Sequence, residues 1–163
     1  MLTSATCANE QKYGNIKDLT VRAGDTDLSK NNMNTKYQDR SVEKIIKHKD
    51  FIARNHYDDV ALIILTAEFD ITNNVGLICI PNQNQVFDGQ KCWVSGFGAN
   101  HQYGVTQSRL TKVEIPIVPN AKCQELLRNT VLSPWFILNY RFICAGGEGL
   151  LFQSSDQKLS KKF

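Results

Sequence analysis

No run of apolar residues in this sequence approaches the roughly 18–20 that a membrane-spanning helix needs, so a helical membrane span is excluded within it. The opening residues, Met1-Leu2-Thr3-Ser4-Ala5-Thr6-Cys7, have neither the charged start nor the apolar stretch of a secretory leader, which taken alone reads as a cytosolic chain. No Asn-x-Ser/Thr acceptor occurs. There is no C-x-x-C pair, so a zinc ribbon or a thioredoxin-type redox site has no ligand spacing to rest on. Charge of one sign is nowhere concentrated except at Lys158, Lys161 and Lys162, and the net charge of +3 describes a solvated surface rather than a nucleic-acid stripe. The three histidines, His48, His56 and His101, show no metal-ligand spacing, and no cofactor is implied.

What is present is a globular composition, with 42% hydrophobic and 21% charged residues, enough for one core or two small ones. Five cysteines, Cys7, Cys79, Cys92, Cys123 and Cys144, leave at least one sulfur free or paired outside the chain. Cysteines on a β-rich chain favour an oxidising compartment, against the missing leader, and that conflict points to an incomplete chain. Strand-like runs recur between turn signals, at 19–23, 42–46, 60–65, 76–80, 91–97 and 110–118. The run Val60-Ala61-Leu62-Ile63-Ile64-Leu65 is continuously apolar, as in a strand buried on both faces. Residues 25–40 read as a long surface loop. One helix is predicted, with Asn120 as N-cap and Cys123, Leu126 and Leu127 on its inner face. Residues 149–163 lose all periodicity and read as a disordered tail. Short strands at this spacing imply an all-β barrel or sandwich.

Six segments in order carry a resemblance. Leu2-Thr3-Ser4-Ala5-Thr6-Cys7 is similar to L-T-A-A-H-C, and Asp58-Asp59-Val60-Ala61-Leu62 to N-D-[IV]-A-L. Leu77-Ile78-Cys79-Ile80-Pro81 matches C-L-P, and Cys92-Trp93-Val94-Ser95-Gly96-Phe97-Gly98 matches C-x-[VA]-[ST]-G-[WF]-G. Asn120-Ala121-Lys122-Cys123 and Phe142-Ile143-Cys144-Ala145-Gly146 match the paired-cysteine segments. Together they resemble the chymotrypsin/trypsin-like serine protease family. Tyr37-Gln38-Asp39-Arg40, Asn74 to Cys79 and Leu126 to Phe136 narrow the resemblance to arthropod clip-domain serine protease homologues, many of them catalytically dead.

The resemblance implies a double antiparallel β-barrel, all-β and truncated at both ends. Residues 1–148 form a partial peptidase domain, with 1–81 the remainder of the first barrel and 82–148 the first part of the second, and the non-family tail 149–163 comes after them. It puts Thr6 at the catalytic histidine position and Asp59 at the aspartate. A threonine hydroxyl has no basicity near neutral pH and cannot act as general base. His56, three residues before Asp59, is expected as a solvated loop histidine. The G-D-S-G-G-P segment that carries the family's nucleophile is absent, and Ser154 and Ser155 lack the glycines of an oxyanion-hole turn. By the same resemblance Cys123 pairs with Cys144, while Cys7, Cys79 and Cys92 are left unpaired by truncation.

The expected function is that of a non-catalytic homologue: a regulatory cofactor that binds a protease or zymogen of a secreted, extracellular cascade of the innate immune, prophenoloxidase type. The alternative is a truncated gene model or fragment of an active trypsin-like endopeptidase. Neither a nucleic-acid nor a membrane partner is expected.

Overall fold

The structure, a computed structural model, describes residues 1–8, 14–29, 36–98 and 107–147. His101, Glu148, Ser154, Ser155 and the tail expected over 149–163 lie outside the described residues. The chain forms two compact units, Met1–Ile80 and a second that starts at Pro81.

The first unit holds β1 (Leu2–Thr3), β2 (Thr20–Ala23), β3 (Gln38–Lys47) and β4 (Ala61–Leu65), with a single 3-10 turn over Ile16–Asp18. All pairs are antiparallel, in the spatial order β1-β4-β3-β2. The apolar run expected to be buried on both faces is buried on one only. Ala61 and Ile63 point inward, while Leu62 and Ile64 lie on the accessible face, because an antiparallel sheet packs one side and leaves the other to solvent. Leu62 stands opposite Leu2 on one side and Ile46 on the other, so these three apolar side chains cover one another across the outer face.

β3 begins inside the stretch expected as loop, and its pairing with β4 slips between Val42 and Lys44, leaving Glu43 as the extra residue of a bulge. Ala5, Ala8 and Ala61 form a buried cluster against which Ile45 and Phe51 pack. A cavity of about 180 Å³ beside it is lined by Cys7, Leu19, Val21, Val42, Ile45 and Ile63, among others.

The β2–β3 edge is fastened by charge. Arg22 and Asp39 are cross-strand partners, and the guanidinium meets the carboxylate with both ends of its fork, Nε to Oδ1 at 2.8 Å and Nη2 to Oδ2 at 2.9 Å. The same guanidinium lies 3.7 Å from the centroid of Tyr37. After β2 the chain turns at Gly24 with φ +83°, where the Asn74 amide donates to the Gly24 carbonyl at 3.0 Å and to that of Lys36 at 3.2 Å. A Cβ on Gly24 would come within 2.6 Å of that amide nitrogen, so the position needs both the left-handed backbone and the missing side chain.

Residues 76–80, expected as a strand, are not one. Leu77, Ile78 and Ile80 are about nine-tenths exposed, and no partner strand pairs with them among the described residues.

The second unit holds β5 (Lys91–Gly96), β6 (Thr111–Val118), the helix α1 (Asn120–Arg128) and β7 (Cys144–Ala145), with strand order β5-β6-β7. Val94 faces Val113 and Cys92 faces Ile115 across the first pair, and Val118 faces Cys144 across the second. The helix begins one residue earlier than an Asn120 cap requires. Pro119 precedes it with no side-chain cap, and Asn120 is its first helical residue, since proline's fixed φ suits the entry. Cys123 and Leu127 are buried but Leu126 is not: residues 123 and 127 stack one turn apart, and 126 rotates to the rim of that stripe. Cys123 is joined to Cys144, which ties α1 to β7, and Leu127, Leu138, Phe136 and Phe142 pack around the bridge.

Replacing Cys123 with serine opens a loop that spans 21 residues, and a bridge closing a loop of that size contributes about 3 kcal/mol. Calorimetry of Cys123→Ser should show that loss, together with exposure of Leu127 and Leu138. The Arg22 guanidinium, by hydrogen bonding first and by charge second, holds the Asp39 carboxyl below its ordinary value. A carboxylate whose pKa is lowered by folding stabilises the fold above its unfolded value and loses that effect as pH falls through the folded one. A carbon-detected titration should therefore find Asp39 titrating below the other exposed carboxylates, and Arg22→Gln should return it to the ordinary range.

Candidate functional site

Asp59 sits at the entrance to β4 and is buried, at 8% exposure. It occupies the centre of a tight turn in which the Val60 amide donates to the Asp58 carbonyl at 2.8 Å. A buried carboxylate needs donors, and the first unit brings them from residues more than 50 positions away. The pairing of β1 with β4 places Leu2 beside Leu62 and Thr3 beside Ala61, and the chain then coils at once, with the Ala8 amide donating to the Ser4 carbonyl. That coil lies against β4 because its contact residues are alanines: Ala5 is fully buried, and Ala8 and Ala61 almost so. Close approach delivers the Thr6 amide to Asp59 Oδ1 at 2.6 Å and the Ser4 hydroxyl to the same oxygen at 2.8 Å.

The other carboxylate oxygen faces His56. The imidazole Nδ1 is 4.0 Å from Asp59 Oδ2 and 3.2 Å from Thr6 Oγ1. His56 is therefore not the solvated loop residue that the sequence leads one to expect. The fold turns it back onto Thr6 and Asp59, although its side chain stays 38% exposed. The loop achieves this with two non-glycine residues in left-handed conformation, His56 at φ 57° and Asp58 at φ 49°. Such residues are uncommon, cost on the order of 1–2 kcal/mol each, and cluster at functional sites. The loop is closed behind them by the pairing of Ile52 with Tyr57 and by the Tyr57 amide donating to Asn55 Oδ1.

The structure thus brings together Ser4, Thr6, His56 and Asp59. It does not bring in His48, whose Nδ1 accepts from the Asp50 amide. The arrangement has a definite chemical character. A histidine that relays a proton between a hydroxyl and a carboxylate uses one ring nitrogen for each partner. Here both contacts converge on Nδ1, so hydroxyl and carboxylate compete for one atom. The Asp59–His56 approach is also beyond hydrogen-bond reach.

Of the remaining cysteines, Cys7 and Cys79 are exposed and Cys92 is half-buried, all as thiols. Among the described residues no three His, Cys, Asp or Glu side chains converge to hold a metal ion, and no helix is long and apolar enough to cross a membrane. Only the left-handed pair at 56 and 58 is invisible in the sequence. A histidine three residues before a strand-opening aspartate is the sole available signal for it.

The family model described as Trypsin matches residues 1–156. The chain is 40% identical over 135 residues to phenoloxidase-activating factor 2 of Galleria mellonella, a match covering 81% of this chain and 45% of that protein. It is 32% identical over 131 residues to inactive CLIP domain-containing serine protease A28 of Anopheles gambiae, covering 80% and 34% respectively. It is also 30% identical over 149 residues to transmembrane protease serine 5 of Homo sapiens, covering 90% and 31%. The chain therefore spans between about a third and about half of the length of these curated relatives. Antiparallel sheets flanking one short helix, with a family match along nearly the whole sequence, place this chain in the trypsin family of serine proteases and their homologues, with that family's all-β fold.

Proposed function

We propose that this protein is a non-catalytic serine protease homologue that serves as a binding and regulatory component of an extracellular proteolytic cascade, of the kind that leads to phenoloxidase activation. The observation that carries the reading is Thr6. By its motif it stands where the family has the histidine base, and it lies inside the chain, so its identity does not depend on where the sequence begins or ends. The threonine hydroxyl supplies no base at neutral pH, and the imidazole nearest to it arrives from another loop with only Nδ1 directed at the site.

Asp59 is correspondingly held by structural donors, the Thr6 amide and the Ser4 hydroxyl, and serves to fasten β1 to β4. Relatives that carry "inactive" in their names support the non-enzymatic reading, and the phenoloxidase-activating factor supports the cascade. The buried Cys123–Cys144 bridge fits a protein of an oxidising, extracellular compartment. A partner that is itself a protease or a zymogen is supported by the same likeness. The alternative, a fragment of a working endopeptidase, leaves the threonine inside a retained motif without explanation.

The protein should cleave no arginyl, lysyl or aromatic chromogenic substrate, before or after treatment with an activating protease, and should not react with a fluorophosphonate. Labelling of any serine above a heat-denatured control would overturn the reading. Thr6→His should likewise give no turnover, either alone, where the new ring must displace His56, or combined with His56→Ala, which clears the space. Turnover in either variant would mean that a nucleophile and an oxyanion hole are present elsewhere in the chain.

A further inference from the structure

Between α1 and β7 the chain runs through residues 129–143 without regular secondary structure, yet its backbone is firmly held. Its ends are tied by the Cys123–Cys144 bridge. Arg128 Nε donates to the Phe136 carbonyl at 2.9 Å, and the Leu138 amide donates to Gln124 Oε1 at 3.0 Å. Phe136, Leu138 and Phe142 turn inward onto the bridge.

In an extended segment, neighbours of inward residues must point outward. Trp135, Ile137 and Tyr140 do so, at 87%, 74% and 80% exposure, and Val131 is 94% exposed. Two aromatic rings of about 150–250 Å² each, with two aliphatic side chains beside them in sequence, make up more apolar surface than the few hundred Å² a monomer usually leaves open. Arg141 lies next to them, its Nε donating to the Tyr140 hydroxyl at 3.1 Å and its guanidinium 5.6 Å from the ring centroid. Trp, Tyr and Arg are the residue types that dominate binding energy at protein interfaces. A backbone already fixed by covalent and hydrogen bonds lowers the ordering cost of using them.

Charge selects the occupant. From Leu126 to Gly147 the sequence has no aspartate or glutamate and two arginines, Arg128 and Arg141. Two cations are too few for an anionic lipid surface, which is read by clusters of about four to eight. A second copy of this chain would bring the same positive segment to the contact.

We propose that the 131–141 segment is a preformed docking surface for an acidic stretch of a partner protein, one whose apolar side chains cover Trp135, Ile137 and Tyr140 while a carboxylate meets Arg141. The proposal rests on the reading of the protein as a binding homologue and gives that reading a surface.

The test is a phage-displayed library of random 12-residue peptides, selected on the oxidised full chain. Recovered sequences should pair Asp or Glu with Leu, Phe or Trp. Binding of a recovered peptide, synthesised with a fluorophore, should weaken about tenfold or more in Trp135→Ser and in Tyr140→Ser. Salt should weaken it in the parent but less in Arg141→Gln. Both aromatic positions are exposed, and an intact Cys123–Cys144 bridge by mass spectrometry confirms that each variant is folded.

No enrichment, basic consensus peptides, or equal binding to the serine variants would each overturn the proposal. So would Trp135-dependent binding to phosphatidylserine vesicles, or Trp135-dependent self-association in sedimentation. Fluorophosphonate labelling is independent of Trp135, so a chain that labels but still selects acidic peptides loses the non-catalytic reading and keeps the surface. A chain that does neither keeps the reading and loses the surface.

Discussion

One carboxylate oxygen organises the first unit. Asp59 Oδ1 accepts from the Thr6 amide and the Ser4 hydroxyl, and those two bonds tie the amino-terminal coil to the start of β4. A buried carboxylate without donors would destabilise the unit, because the interior solvates charge poorly. Here the compensation is mostly backbone, and so does not depend on which side chain residue 6 carries. That separates the structural duty of Asp59 from any catalytic one. The amide at position 6 keeps its partner whether the side chain is an imidazole or a hydroxyl, so a chain of this family can change that side chain and still retain the fold around it. The three alanines at 5, 8 and 61 belong to the same device, since any larger side chain there would hold the coil away from the acid.

The elements easiest to read in the sequence are those whose pattern has its cause within the element. β5 and β6 come after a turn signal and an alternating run, and they pair as antiparallel neighbours through Val94 with Val113 and Cys92 with Ile115. The family motifs locate Thr6 and Asp59, because those motifs carry fixed offsets. Failures come where tertiary contact decides. The two-residue strands β1 and β7 are too short to show any period, and they exist because β4 and β6 offer them a partner. Residues 76–80 have strand-like composition but no neighbour among the described residues to complete a ladder, so the composition alone misleads. The direction of His56 depends on backbone angles at 56 and 58 that no residue there announces, since neither is glycine or asparagine.

The two units differ in what fixes them. The first relies on hydrogen bonds and charge at the edges of small residues: Asp59 with its donors, Arg22 with Asp39, and Asn74 closing over Gly24. The second has a covalent bridge at the centre of its largest apolar cluster, and short polar ties, Arg128 to Phe136 and Gln124 to Leu138, that hold a loop against it. A reducing environment should therefore act on the second unit selectively, with the proposed docking segment the first part to lose its shape.

The bulge at Glu43 has a consequence for how this chain tolerates change in length. Val42 and Ile45 both line the cavity, yet they are three residues apart, an odd interval that would put them on opposite faces of a regular strand. The extra residue restores the parity. Removing it would rotate everything from Lys44 to Lys47 by half a turn, bringing lysines to the interior and Ile45 to water. The strand therefore behaves like a reading frame: a deletion of one residue there inverts every later position of β3, and only a compensating insertion a few residues on sets it right.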